Sequence, residues 1–466
     1  MSKAIAKYQR YSAITEGFAT ALEQLASRAP YKNAIVIPAF NESMAFIERF
    51  SKLSQSQPAS INTKPARSLL IVVANAPQNC APCAKKTTQD MINRINERWT
   101  KQMVTKGVTF GQLNLQLDIL LLDLTQGATQ ALKPNQFQDG VGFARKAGMD
   151  TAFELWCKGN ISSGWFYSSD ADAFWPVNYL NTDQLTLGKK GAAVFCFQHQ
   201  QSEKQVHLSD AAARYDISLR YYVLGLRWAG SPWAYHTVGS TLVIHGESYA
   251  ETRGFPNREA GEDFYLLNKI AKTAPIHCPP EPCLGLSDRP SDRVPFGTGP
   301  AVNSIELQDN PDQDFKLYHP EIFSLLRQWH QCIDQLFEKT LEDALSQSTQ
   351  PASNTNNLKA AQLIEALRAI GIAKALLHAR DHSKTSQQFC QHLLQWFDGF
   401  RTLKLIHWLR DHYYPSIAYQ TWKNQLLENQ IPFLASPQDD QDSAEALSEH
   451  LKQLEQQTLP FIGGLN

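Results

Sequence analysis

Apolar residues recur at helical spacing over about residues 5–28, within MSKAIAKYQRYSAITEGFATALEQLASRAP, and predict an amphipathic first helix. The pattern then changes to short apolar runs: NAIVIPAF (33–40), SLLIVVANA (68–76), LQLDILLLDL (115–124), GWFYSSD (164–170), AAVFCFQH (192–199) and GSTLVIH (239–245). These are rich in β-branched and aromatic residues and too short for buried helices, so they predict strands. Between them, ESMAFIERFSKLS, TTQDMINRINERWTKQM, GFARKAGMDTAFELWCK and LSDAAARYDISLRYYVLGLRWA space their apolar residues as helices do. Strands that alternate with helices, several of them apolar on both faces, predict an α/β fold with a mostly parallel sheet sandwiched by helices.

Beyond about residue 310 the strand pattern stops. PEIFSLLRQWHQCIDQLFEKTLEDAL reads as helix, SQSTQPASNTNN as a polar linker, and residues 357–430 as further helices. SPQDDQDSAEALSEHLKQLEQQ predicts an acidic loop leading into a last helix. The predicted organisation is an N-terminal helix (1–30), an α/β catalytic domain (31–309) and an all-α C-terminal domain (310–466).

A chain of 466 residues exceeds one ordinary core, in keeping with this division. With 44 Lys and Arg against 45 Asp and Glu, no overall field favours nucleic acid or an anionic membrane, so an anionic ligand must be held locally. No apolar span approaches the length that crosses a bilayer, which predicts a cytoplasmic protein with no integral membrane segment. The 8 cysteines are spread too thinly for a disulfide framework and read as reduced thiols. Cys80 and Cys83 make a C-x-x-C, with Cys278 and Cys283 as distant companions; lacking a second C-x-x-C, it reads as a loop rather than half a zinc site.

In open parallel sheets, ligands sit beyond the carboxyl ends of the strands. After the first strand comes PAFNES, where Pro38 is expected to end the ladder and Asn41 either caps the next helix or meets a ligand. After the second comes ANAP, with Asn75 at the tip, and after the fourth come Asp170 and Asp172. Neither a G-x-G-x-x-G after the first strand nor a G-x-x-x-x-G-K-[ST] is present, so phosphates would need another counter-charge. Two hard carboxylates suit Mg²⁺ or Mn²⁺, although a lone D-x-D also serves as a cap or turn.

Taken in order, AIVIPAFNE, LLIVVANA, GVGFARKAGMDTA, YSSDADAFWP and GSTLVIHGESYAETRGFPNREAGEDFYLLNKI resemble family-2-like glycosyltransferases of the GT-A fold, over roughly residues 33–275. The resemblance implies a nucleotide-diphospho-sugar transferase fold and hexosyl transfer from a nucleotide sugar. By it, Pro38, Phe40, Asn41 and Glu42 of the first loop, with Asn75, would hold the nucleotide. Asp170 and Asp172 would lie at the metal and diphosphate, Arg145 would approach the nucleotide or diphosphate, and a carboxylate of the later E-D pair would be the catalytic base. Many members have aspartate where Asn75 stands and A-R-N where this chain has Ala144-Arg145-Lys146, and Lys146 is read as a surface residue.

Gly261 precedes an amphipathic helix, so Glu262 and Asp263 fall in its first turn, where the helix dipole also favours acids. Only one of two adjacent helical residues points directly into a cleft; Asp263 is expected to be the base that the resemblance implies, and Glu262 an acceptor-positioning or secondary carboxylate. The aperiodic stretch GLSDRPSDRVPFGTGPA (285–301) predicts a lid, with Arg289 and Arg293 closing on the diphosphate or, alternatively, balanced by Asp288 and Asp292. His277 is the nearest candidate for a third metal ligand, and its place in a strand better fits a core or edge histidine. Trp165, Trp175 and Trp233 are candidates for a sugar-stacking face or for the core.

The expected reaction is inverting, metal-assisted transfer to an acceptor hydroxyl. The expected partners are a nucleotide-diphosphate sugar and an unidentified acceptor, with the helical domain as a surface for homo-oligomerisation. A nucleotidyltransferase of related topology is the alternative, and PAFNESMAF lacks the glycine and lysine its first loop would carry. A catalytically silent sugar-nucleotide-binding scaffold is a further alternative, which the intact Asp263 opposes.

Overall fold

The computed structural model describes residues 2–12, 14–15, 18, 30–56, 66–77, 79–98, 100–105, 107–125, 140–181, 190–202, 207–258, 261–289, 297–347, 354–437 and 442–465. They form two compact units: Met1–His207 with Thr237–Pro300, and Leu208–His236 with Ala301–Asn466.

The first unit is built on a sheet of β1 (Asn33–Ala39), β2 (Ser68–Ala74), β3 (Thr100–Thr105), β4 (Val108–Gln112), β5 (Leu117–Asp123), β6 (Trp165–Ser168), β7 (Ala192–Val194), β9 (Leu242–His245) and β10 (Ile276–Cys278). A parallel pair of β8 (Cys196–Gln200) and β11 (Cys283–Ser287) stands beside it. The strand order is β10-β7-β9-β6-β1-β2-β5-β4-β3. Only β4 and β9 run against the rest, so the sheet is mostly parallel. Ser68–Ala74 is buried without interruption, and β1 and β5 are buried at all but one position each, as strands covered on both faces must be.

The chain builds outward from β1 through β2 to β5, and then returns to lay β6 on the other side of β1. The order therefore reverses between β1 and β6, and a crevice opens outside their carboxyl ends at such a switch point. Pro38 does not end the ladder but pairs with Val73 inside β1. The Val36 carbonyl accepts from the Ser169 amide on the β6 side, where that ladder then stops. Pro38 faces the same side two residues later, so its missing N–H costs no sheet bond.

The helix Val141–Cys157 crosses β1 and β2 with every residue from Gly142 to Leu155 buried. Gly148 permits this approach: a Cβ there would lie 2.3 Å from Val36 Cγ1. Within the predicted 5–28 helix, Lys3–Gln9 is helical and much of the remainder lies outside the described residues. Tyr8 anchors this helix. Its hydroxyl donates to Asp150 Oδ1 at 2.7 Å and accepts from Lys146 Nζ at 2.8 Å, while Tyr249 donates to the same Asp150 oxygen at 2.8 Å. Lys146, read as a surface residue from sequence, is thus buried and paired with Asp150 at 3.0 Å.

The second unit is helical. Asp210–Trp228, placed in the α/β domain by the sequence reading, packs here, with Tyr221 edge-on to Phe323 at 5.4 Å and to Trp422 at 5.6 Å. Helical periodicity announces an apolar face without naming what covers it. Gly225 lets Phe323 close in, since a Cβ there would lie 2.5 Å from its ring. A buried ionic cluster joins this helix to Ala444–Gln457. Arg220 bonds Asp216 at 2.6 Å and Glu455 at 2.7 Å, His236 bonds Glu455 at 2.8 Å, and Ser448 donates to Asp216 at 2.6 Å. Burial opposes the Glu455 charge, but His236, Arg220 and Arg227 outweigh it and hold its pKa down at about 2. Among the described residues, no helix is long and apolar enough to cross a membrane.

Candidate active site

Arg145 stands one turn into the helix Val141–Cys157, and its side chain is 4% exposed. Each arm of its guanidinium is bonded: Nε donates to Glu262 Oε1 at 2.9 Å, Nη1 to Ser168 Oγ at 2.8 Å and to the Gly239 carbonyl at 3.2 Å, and Nη2 to Asp170 Oδ1 at 3.0 Å. Burial opposes its charge, and Asp170, Glu262 and Asp263 more than offset that, so the group is held firmly protonated. Two glycines make room. A Cβ at Gly239 would fall 2.8 Å from Arg145 Nη2, and one at Gly142 would fall 2.2 Å from the Arg258 carbonyl oxygen and 3.3 Å from Glu262 Cβ. These contacts seat the E-D helix against the arginine.

That helix, Glu262–Ile270, begins after Gly261 in the left-handed conformation (φ 72°), a position that favours glycine. Both acids lie in its first turn, as the sequence suggests, but they part in role. Glu262 is buried and spends one carboxylate oxygen on holding Arg145. Asp263 accepts from the Phe264 amide at 2.7 Å. Its pKa is pushed up to about 7, first by burial and then by the neighbouring Glu262 charge, against the opposing pull of the Phe264 amide and Arg145.

Asp170 and Asp172 leave β6 at the switch point. Asp170 has its pKa raised by desolvation, with Arg145 opposing and Asp172 adding to the rise. Asp172 Oδ2 lies 3.0 Å from Arg289 Nη2, and the same Nη2 donates to Glu42 Oε1, so the first loop, the D-x-D and the segment after β11 meet. The turn itself is clamped by Arg49, which sequence reasoning missed. Its Nη2 donates to the Ala171 carbonyl at 2.9 Å, and its guanidinium lies 5.2 Å from the Phe174 ring centroid. A lone arginine in an amphipathic helix gives no signal for this. Trp175 donates to Ser169 Oγ at 2.8 Å beside this turn. Trp165 packs edge-on to His245, and Trp233 lies in the second unit, bonded to the Phe397 carbonyl at 2.9 Å.

Of the other predicted residues, Asn75 donates to the Gly140 carbonyl at 2.9 Å, while its buried Oδ1 has no hydrogen-bond partner. Pro38 and Phe40 are half-buried and Asn41 is exposed, with φ 55°. Asn41 is not a helix cap: the helix Ala45–Gln55 starts after Met44. His277 sits in β10 with an unpartnered buried Nε2. Among the described residues, no group of three or more His, Cys, Asp or Glu side chains, Cys80 and Cys83 included, is arranged to hold a metal ion. Arg293 and most of the predicted lid lie outside the described residues.

No protein-family model and no curated protein matches this chain. Among solved structures, it is similar to residues 1–349 of S. aureus TarS in complex with UDP-GlcNAc, at TM-score 0.33 and 11% identity over 79% of this chain and 91% of that one. It is also similar to the same protein in complex with UDP (TM-score 0.32, 10% identity) and to that protein alone (0.29, 12%), with the same coverage. These likenesses are too distant to assign an activity.

Proposed function

We propose that this chain is a glycosyltransferase that moves a sugar, as a hexosyl group, from a nucleoside diphosphate to an acceptor hydroxyl with inversion. The observation that carries this reading is the single guanidinium of Arg145 linking Asp170, at the switch point between β1 and β6, to the E-D helix where Asp263 has a pKa near neutrality. A carboxylate titrating at about 7 suits general-base work at physiological pH. Asp263 takes the acceptor hydroxyl proton as that oxygen forms its bond to the anomeric carbon and the bond to the diphosphate breaks. Direct displacement needs no covalent intermediate.

Asp170 and Asp172 follow β6 at the switch point and supply two hard oxygen donors of the kind a divalent cation takes, short of a complete shell. Among the described residues, Glu42, Asp170, Asp172, Glu262 and Asp263 outnumber the charges of Arg145 and Arg289, and burial first, then the neighbouring carboxylates, raise the pKa values of Asp170 and Asp263. A diphosphate adds further negative charge, so Asp170 and Asp172 would hold Mg²⁺ or Mn²⁺. When bound, the cation supplies charge neutralisation for the departing diphosphate. Asn75 Oδ1, buried and unpartnered, offers an acceptor to a ribose or base donor.

Release of nucleoside diphosphate from a panel of nucleotide sugars, with and without Mn²⁺, tests the proposal. Release that depends on one donor and on the cation supports it, and no release from any donor with any acceptor opposes it.

A further inference from the structure

Arg289 follows β11, Glu42 follows β1 and Asp172 follows β6, so the contacts from one guanidinium to both carboxylates span the switch point. Exposure grades outward along this contact: the side chains are 11% exposed at Glu42, 26% at Asp172 and 43% at Arg289. The arginine therefore reaches in from the rim over two deeper carboxylates. A guanidinium at a carboxylate repels a divalent cation approaching the same carboxylate, and in a partly desolvated crevice that repulsion is poorly screened.

We propose that Arg289 is a resident counter-cation of the Glu42–Asp172 pair, that it competes with a divalent cation for Asp172, and that it passes to the phosphates when a nucleoside diphosphate binds. Only the last step rests on the donor-site reading above. The exchange is chemically matched, since a guanidinium bonds phosphate oxygens in the same forked geometry that it uses for carboxylates. It also makes the site selective: a ligand with phosphates replaces the partners Arg289 gives up, and a bare nucleoside does not.

The test uses the full chain and Mn²⁺ alone, followed by electron paramagnetic resonance, for the parent, Arg289→Gln, Arg289→Lys and Asp172→Asn, each first checked for an unchanged thermal transition. Arg289→Gln should bind Mn²⁺ about tenfold more tightly than the parent, a coupling of ordinary size. Arg289→Lys, which keeps the charge, should stay near the parent. Adding Asp172→Asn to Arg289→Gln should abolish the gain. Equal Mn²⁺ affinity in the parent and Arg289→Gln, or a gain that survives Asp172→Asn, overturns the competition.

A second arm compares uridine, adenosine and guanosine with their 5′-diphosphates by calorimetry. Arg289→Gln should weaken the bound diphosphate about tenfold and leave its nucleoside unchanged. Equal losses for both overturn the transfer step. Absence of any nucleotide binding overturns that step together with the donor-site reading, while the Mn²⁺ arm still decides the competition.

Discussion

Arg145 Nε donates to Glu262 Oε1 at 2.9 Å, with both side chains almost fully buried (4% and 5% exposed). One acid of the E-D pair is therefore engaged in holding an arginine, and in the proposed mechanism the other is the base. Removing one partner of a buried ion pair strands the second charge. Arg145→Met should thus destabilise the chain by about 3–5 kcal/mol in urea unfolding. Glu262→Gln, which keeps an acceptor for Nε, should cost less. Equal losses for the two would mean that the ion pair is not what Glu262 contributes.

The same fit predicts that small residues around Arg145 are required. Gly142→Ala drives a Cβ to 2.2 Å from a backbone oxygen, so the backbone must shift, at a cost of about 1–3 kcal/mol. Gly239→Ala instead meets the end of the Arg145 side chain. It should leave the melting temperature nearer the parent while reducing nucleotide affinity, measured by calorimetry.

Asp263 gives stability a pH dependence of definite sign. Its folded pKa, about 7, lies above its unfolded value, so its contribution is full below the unfolded pKa and is lost as pH rises through 7. Asp263→Asn, which cannot ionise, should melt above the parent at pH 8, with the gap shrinking towards pH 4. A gap that does not change over this range would place the Asp263 carboxyl in ordinary solvent.

Glu455 behaves in the opposite way. Its folded pKa of about 2 lies below the unfolded value, so its contribution is complete above the unfolded pKa and is lost as pH falls through 2. Glu455→Gln should cost the helical unit about 3–5 kcal/mol at pH 7 and progressively less below pH 4, read by urea unfolding of the full chain.

Much of the first unit was legible because its central strands are buried on both faces and so appear as unbroken apolar runs. Asn33–Ala39, Ser68–Ala74 and Leu117–Asp123 fall inside the predicted segments. The β3–β4 hairpin was missed: TKQMVT runs on from a helical pattern without a break, and VTFGQ is too short and mixed to read as an apolar run. Asp170, Asp172 and Asp263 were legible as motifs, yet their geometry was not. Arg49, Gly142 and Gly239 act through tertiary contacts that leave no local periodicity, and buried Lys146 looks like any helix-surface lysine until Tyr8 and Asp150 are brought to it. The membership of Asp210–Trp228 in the helical unit was hidden for the same reason.

The central claim is that Asp263 is the general base of glycosyl transfer, and the most direct measurement is turnover of Asp263→Asn with the nucleotide sugar that the donor panel identifies. The substitution keeps size and helix start but cannot accept the acceptor proton. If Asp263 is the base, kcat should fall by about 10² to 10⁴ with nucleotide and Mn²⁺ affinity nearly unchanged, and the rise in parental kcat/KM through pH 7 should be lost. Turnover at the parental rate would contradict it and make Asp263 no more than a carboxylate at a helix start.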